Sequence, residues 1–374
     1  MAVDDRGRKL PRGIRYRNGK YEARFTYSGK AHSVWGKTIG EVQKPVTELK
    51  YKLETGTYIE KSKLTLNEWF DTWMETYKRN TIKHSTYQTY CTYYDKHIRD
   101  SDIGRMLISN IRAEHIQKLY NRLVDQEYSF SAINQIKTTI YGSLEQAVKN
   151  EMIERNPVKL VNLPKVDKKK ARIAMTKEQQ ALFMEYAKDS YMYNLFALML
   201  RTGLRVGEIT GLKHTDVNRK QKVIHITRTM VYDHERGLYE DTPKTKTSIR
   251  DIPLTEDMLK LIDNQRVYWG VKKVESLERY IFTDYEGRPL PRSAVRNEIE
   301  RLTNAIRRDG KEFPVISAHV FRHTFATRAI EHGMQPQILK TILGHSSLAM
   351  TMDLYSHVLP ETRSEAMELI AGAF

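Results

Sequence analysis

Cysteine is almost missing from this chain, with Cys91 the single one in 374 residues. That excludes a disulfide framework, or a zinc site built from cysteines, within one chain. Long apolar runs are missing too: no uninterrupted stretch approaches the ~20 residues that a membrane-crossing helix needs. The residues from Met1 to Arg8 are polar and charged, so no secretory leader is expected. Acidic side chains fall short of basic ones, 46 against 62, which leaves a net charge of +16. Such a surplus calls for a polyanionic partner, and without a membrane segment nucleic acid fits best. Carboxylates such as Asp353 are too few and too scattered for a two-metal nuclease. The composition therefore points to a cytoplasmic protein bound to DNA or RNA.

The length exceeds a usual single domain, so two or three are expected. Residues 1–10 read as a mobile polar lead-in. From Ile14 to Trp35 the pattern is short and β-like, with turns at Asn18 and Gly19 and again at Ser28 to Lys30. Three small strands would carry Arg15, Arg17, Lys20 and Arg24 between aromatic residues, and a helix from about Glu41 to Glu54 would cover one face. Pro45 sits awkwardly inside that helix. A small basic sheet of this kind can lay cations into a DNA groove.

A helical unit follows. Leu66, Trp69, Phe70 and Trp73 recur at helical spacing, ahead of a basic connector at Lys78 and Arg79. Helices are expected over 86–98, 112–126 and 129–150, the last with Ile133, Ile136, Ile140, Leu144 and Val148 as its core stripe. Tyr87, Tyr90, Tyr93 and Tyr94 are expected to pack rather than stack on bases. The unit closes at Asn156 and Pro157. Lys168, Lys169 and Lys170 then lie in an exposed linker, which could track a phosphate backbone or act as a solvated hinge.

The third unit opens at Thr176, an N-cap with Gln179 as its capping-box partner. A buried helix stops at Thr202 and Gly203, and a short one follows Arg205. Strands are expected over 223–227, 229–232 and 249–254, with 243–248 at a hairpin tip. Helices follow over 256–269, 292–307 and 361–371.

Singly, the polar residues of this unit say little. A lone histidine such as His319 more often satisfies a core than catalyses, and a tyrosine such as Tyr355 more often packs. Their order is specific. Thr-Gly-Leu-Arg-x-Gly-Glu spans Thr202 to Glu208, and Lys-Thr-x-x-Ser-x-Arg-x-Ile-Pro spans Lys244 to Pro253. His-x-x-Arg-His-Thr begins at His319, Leu-Gly-His ends at His345, and Tyr355 stands ten residues on.

This series resembles the tyrosine recombinase, or phage integrase, family, in the group carried by phages and conjugative transposons. The motifs cover residues 202–357, and the layout is similar over essentially the whole chain. The resemblance implies a multidomain fold, mainly α with small β-sheets. Residues 1–60 would be an arm-site DNA-binding domain, a three-stranded sheet plus helix. Residues 61–163 would be a helical core-binding domain. Residues 164–374 would be a mixed α+β catalytic domain, whose last helix packs on a neighbouring protomer. It further implies a homo-tetramer on double-stranded DNA, with core and arm attachment sites and an accessory excisionase or DNA-bending protein as a further partner. One strand is cleaved, its 3′ phosphate is joined to a tyrosine, and that phosphate passes to the 5′ hydroxyl of another duplex.

The residue types suit that chemistry. Arg205 and Arg322 offer forked, permanently charged donors to the non-bridging oxygens. His345 can add a further hydrogen bond, and His319 can take the proton of the nucleophile, Tyr355. Lys244 would protonate the leaving oxygen, with Lys246 as the alternative. Glu208 would support Arg205. His323 would pack, and His357 would be a surface residue. No metal and no other cofactor is required, because the phosphotyrosine link keeps the phosphoryl group activated. A chromosome-dimer resolvase or a type IB-like topoisomerase would share the chemistry. A DNA-binding protein without catalysis would share only the outline.

Overall fold

The computed structural model describes residues 3–5, 7–56, 58, 62–163, 174–233, 235–243, 246–268 and 278–358. The chain forms two compact units, Met1–Lys169 and Lys170–Phe374. Among the described residues no helix is long and apolar enough to cross a membrane.

The first unit begins with an antiparallel sheet of β1 (Ile14–Arg17), β2 (Lys20–Tyr27) and β3 (Lys30–Gly36), in that order. Both hairpin turns need left-handed backbone, and they have it: φ is 50° at Asn18, 74° at Gly19, 45° at Ser28 and 78° at Gly29. Helix α1 (Ile39–Glu54) lies on one face, where Ile14 and Ala23 meet Val42. Thr38 caps it by accepting from the Glu41 amide. The helix begins two residues earlier than expected and runs through Pro45. The leading residues are not a loose lead-in. Val3 pairs with Lys9, and the buried Asp4 accepts from the Arg8 amide (2.9 Å) and the Tyr21 hydroxyl (3.2 Å).

The helical part packs α2 (Leu66–Trp73), α3 (His84–Tyr94), the short α4 (Asp102–Arg105), α5 (Ala113–Asp125) and α6 (Phe130–Lys149) around one core. The expected stripe on α6 supplies Ile133, Ile136, Ile140 and Leu144, all fully buried. Tyr94 stacks on Phe70, and Tyr87, Tyr90 and Tyr93 pack at the margin of the core. Wider turns extend α2 over Met74–Lys78 and α3 over Asp95–Arg99. A turn at Pro157–Leu160 follows, and Val158 and Val161 join the core.

In the second unit α7 (Lys177–Tyr186) starts with the expected capping box of Thr176 and Gln179. The apolar α8 (Tyr193–Thr202) ends on Gly203 at φ 64°. A side chain there would strike Phe325 at 2.5 Å and Leu343 at 2.7 Å, so glycine is required twice over. Helix α9 (Val206–Thr210) follows at once. Strands β4 (Val217–Asn218), β5 (Val223–Ile226) and β8 (Arg250–Pro253) form one antiparallel sheet, in the order β4-β5-β8. Strands β6 (Thr229–Asp233) and β7 (Gly237–Asp241) form a separate hairpin.

Residues 243–248 are thus not a hairpin tip. The tip lies between Asp233 and Gly237, and 243–248 join β7 to a strand of the other sheet. Helices α10 (Glu256–Tyr268), α11 (Arg292–Arg308), α12 (Ala318–Glu331), α13 (Pro336–Leu343) and α14 (Ala349–Val358) follow among the described residues. The helix expected over 361–371 lies outside the described residues.

Candidate active site

The site is built on the C-terminal end of α13. Gly344, at φ 64°, lets the chain turn so that the His345 amide reaches the Lys340 carbonyl and the Gly344 amide the Thr341 carbonyl, both at 3.1 Å. The next three carbonyls each accept from a different arginine. Arg250 Nε donates to Ile342 at 2.5 Å, Arg322 Nη2 to Leu343 at 2.7 Å and Arg205 Nη2 to Gly344 at 3.5 Å. A helix C-terminus carries partial negative charge, so three guanidiniums there are favourably placed.

Each arginine has further anchors. Arg322, on α12 and 3% exposed, also donates to the Gly203 carbonyl at 2.9 Å. Arg205 donates to Glu208 Oε1 at 2.7 Å, while its amide donates to Oε2 at 2.9 Å. The expected support of Arg205 by Glu208 is therefore direct. Arg250 grips the same carboxylate from inside, at 2.9 and 3.1 Å, and donates to the Ser248 carbonyl at 3.0 Å. Burial pushes the Glu208 carboxyl up, but the hydrogen bonds and charge of Arg250 and the charge of Arg205 outweigh it and hold the group below its ordinary value.

Positive charge is crowded here. Burial first, then Arg205, pulls the Arg322 guanidinium down to about 9. Burial and the charges of Arg322, Arg205 and Arg250 push His345 down to about 4, so its imidazole is neutral at pH 7. Its Nδ1 is 2.9 Å from the hydroxyl of Thr351, a fully buried residue in the first turn of α14. A neutral imidazole that accepts from Thr351 at Nδ1 carries its proton on Nε2, free to be donated to an anion.

Tyr355 lies one helical turn beyond Thr351 on α14 and belongs to a small apolar cluster with Ala326, Ala329, Ile330, Leu339 and Leu343. The hydroxyl donates to the main-chain carbonyl of Met334, just ahead of α13. That carbonyl precedes the N-terminal end of α13, whereas the three arginines bond carbonyls at its C-terminal end, and eight residues of helix rise ~12 Å. Burial raises its pKa further. The arrangement thus brings together Arg205, Arg322, His345 and Glu208, and leaves the Tyr355 hydroxyl apart from them. His319 stands near the start of α12, its ring edge-on to His323 at 4.6 Å between centroids. Lys244 lies outside the described residues, and Lys246 opens the turn Lys246–Ser248.

In the first unit, strand register puts Arg15, Arg17, Lys20 and Arg24 on the sheet face opposite α1. Trp35, 50% exposed and paired with Glu22, shares that face. Lys78 sits over the Trp73 ring at 5.0 Å, and Arg79 is paired with Glu75. Lys168, Lys169 and Lys170 fall outside the described residues, as does the side chain of His357.

Sequence reasoning placed Arg250 in a motif without giving it a role, and did not single out Thr351 or Trp35. Arg250 was visible inside the Lys-Thr-x-x-Ser-x-Arg-x-Ile-Pro pattern, but its partners lie 42 and 92 residues away. Thr351 sits six residues after His345 and four before Tyr355, a spacing that was itself a signal.

The pattern of the phage integrase family matches residues 174–362, and that of the phage integrase N-terminal SAM-like domain matches residues 65–124. A tyrosine recombinase XerC-like protein of Caldanaerobacter subterraneus is 27% identical over 361 residues, covering 91% of either chain. The transposase from transposon Tn916 of Enterococcus faecalis is 25% identical over 380 residues, covering 95% of this chain and 93% of that protein. The Tn1549 transposon integrase, solved in complex with transposon right end DNA, superposes with a TM-score of 0.73 at 22% identity, over 82% of this chain and all of that one.

Proposed function

The chain belongs to the phage integrase family, and we propose that it is the site-specific recombinase of a mobile element, cleaving and rejoining duplex DNA through a 3′-phosphotyrosyl intermediate. The observation that supports this best is the convergence of Arg205, Arg322 and a neutral His345 at one helix end, with Tyr355 on the next helix. The full-length likeness to a transposon's transposase supports integration and excision of an element.

The reaction can be derived from these groups. The scissile phosphate brings a further anion to three crowded guanidiniums, two of which share the single carboxylate of Glu208. Arg205 and Arg322 donate to its non-bridging oxygens, and His345 donates from Nε2. Tyr355 leaves the Met334 carbonyl, loses its proton to His319 and forms a bond to phosphorus. The bond from phosphorus to the 5′ oxygen breaks, and Lys244 or Lys246 protonates that oxygen. A 5′ hydroxyl of a second duplex then attacks the phosphotyrosine, with every proton transfer reversed. The phosphodiester energy is kept in the covalent link, so the chemistry draws on these side chains alone.

Three parts divide the work in this reading. Residues 1–60 grip arm-type sites through the face carrying Arg15, Arg17, Lys20 and Arg24. Residues 61–163 clasp the core site, where Lys78 and Arg79 add charge, and Lys168 to Lys170 follow the backbone beyond it. Residues 164–374 hold the chemistry. Separate hydrophobic clusters under the sheet and among the helices support the first boundary. A tetramer on DNA in the bacterial cytoplasm completes the proposal.

Incubation with a nicked suicide duplex carrying the element's core site tests it. The protein should become covalently joined to the 3′ phosphate and run as an adduct on a denaturing gel. Stable binding of that duplex with no adduct would favour a binding protein instead.

A further inference from the structure

Arg250 has no place in the mechanism above, yet its guanidinium is buried and bonded on all three nitrogens. Its side chain is 3% exposed. Every donor group of its fork finds an acceptor, in three separate segments. Nε goes to Ile342, which precedes Leu343, Gly344 and His345. Nη1 and Nη2 go to the two oxygens of Glu208, whose Oε1 is also held by Arg205. Nη1 goes also to Ser248, which ends the turn opened by Lys246.

From this geometry we propose that Arg250 is a positioning residue for strand cleavage, a buried guanidinium that fixes the clamp arginine, the histidine and the lysine segment relative to one another. The inference rests on the recombinase reading and adds to it a residue that never touches DNA. The carbonyl comb at the end of α13 is the reason it works. Ile342, Leu343 and Gly344 are consecutive, so an arginine fixed on one carbonyl sets the spacing of the arginines on the next two. Gly344 shows how close the fit is: a side chain there would lie 3.1 Å from Arg250 Cδ and 3.0 Å from the Thr247 carbonyl. A guanidinium suits the task because its donors leave in fixed, coplanar directions, whereas one ammonium cannot span a carboxylate and two carbonyls.

The role predicts a loss of rate without a loss of binding. Arg250→Met is compared with the unmutated protein in single-turnover cleavage of the suicide duplex, with duplex affinity and thermal unfolding measured beside it. Expected is a fall in cleavage of about 100-fold, the order that misplaced reacting groups cost, with Kd unchanged within about twofold. The decisive readout is coupling. Because Arg205 is one of the groups that Arg250 holds, the double variant Arg250→Met with Arg205→Lys cleaves faster than the product of the two single losses predicts. A general structural defect would instead multiply the two losses, and that result overturns the proposal, as does wild-type cleavage by a folded Arg250→Met. Should Arg250→Met fail to fold, Arg250→Lys takes its place under the same criteria, and full activity with lysine would overturn the proposal. Absence of any adduct with the unmutated protein would refute the recombinase reading itself, an outcome distinct from these.

Discussion

The hydroxyl of Tyr355 is bonded to the main-chain carbonyl of Met334, at the opposite end of α13 from the carbonyls that hold Arg205 and Arg322. In the proposed reaction the nucleophile and its clamp are thus bonded at the two ends of one short helix. Reaching a phosphate requires the phenol to give up that hydrogen bond, a cost of about 1 kcal/mol.

Tyr355→Phe keeps the ring in its apolar cluster and removes only the hydroxyl. Stability should fall by about 1 kcal/mol or less while cleavage vanishes. Thermal denaturation beside covalent capture checks both. A loss of several kcal/mol would mean that the hydroxyl has a larger structural role than one hydrogen bond.

Arg205→Lys should bind DNA normally and cleave roughly 100- to 1,000-fold more slowly, the range for losing one preorganised donor at a developing charge. Lysine keeps the charge but cannot hold Glu208 and an oxygen of phosphate together. Single-turnover rates and duplex affinity decide the matter. Cleavage at the wild-type rate would refute the clamp.

Gly344→Ala places a side chain at φ 64°, against the Thr247 carbonyl and Arg250. The left-handed conformation alone costs about 1–2 kcal/mol, and crowding adds to it. Urea unfolding should show at least that loss, together with slower cleavage, because His345 and the arginine comb shift with the turn.

His345 titrates near 4 in the folded chain, below its ordinary 6.5. Between those values the unfolded chain binds a proton that the folded chain refuses. Its contribution to stability is therefore complete above about 6.5 and is lost as pH falls towards 4, by at most about 3 kcal/mol. Comparison with His345→Gln removes the other titrating groups. The stability difference between the two proteins should be flat above pH 7 and should drift against the wild type below pH 6. A flat difference down to pH 4.5 would show that His345 is not held neutral.

What sequence reasoning could see was local. Asn18 and Gly19 announce their turn because asparagine and glycine adopt its left-handed backbone most readily, and Thr176 with Gln179 caps α7 through contacts three residues apart. The core stripe of α6 is likewise written at helical spacing. Strand β7 escaped notice because Gly237, Glu240 and Asp241 give it no apolar alternation, and its partner β6 alone makes it a strand. The order of the chemical motifs was legible, but not the way Arg250 joins them, since that depends on contacts across 42 and 92 residues. Nor could the sequence reveal that the Tyr355 hydroxyl bonds the Met334 carbonyl, which depends on packing between α12, α13 and α14.

The central claim is that Tyr355 becomes covalently bound to DNA. The most direct measurement is mass-spectrometric mapping of the adduct after nuclease and protease digestion. The account predicts the residual nucleotide on the peptide that contains Tyr355, on the phenolic oxygen, and none in Tyr355→Phe. A nucleotide found on any other residue, or an adduct that persists in Tyr355→Phe, would contradict it.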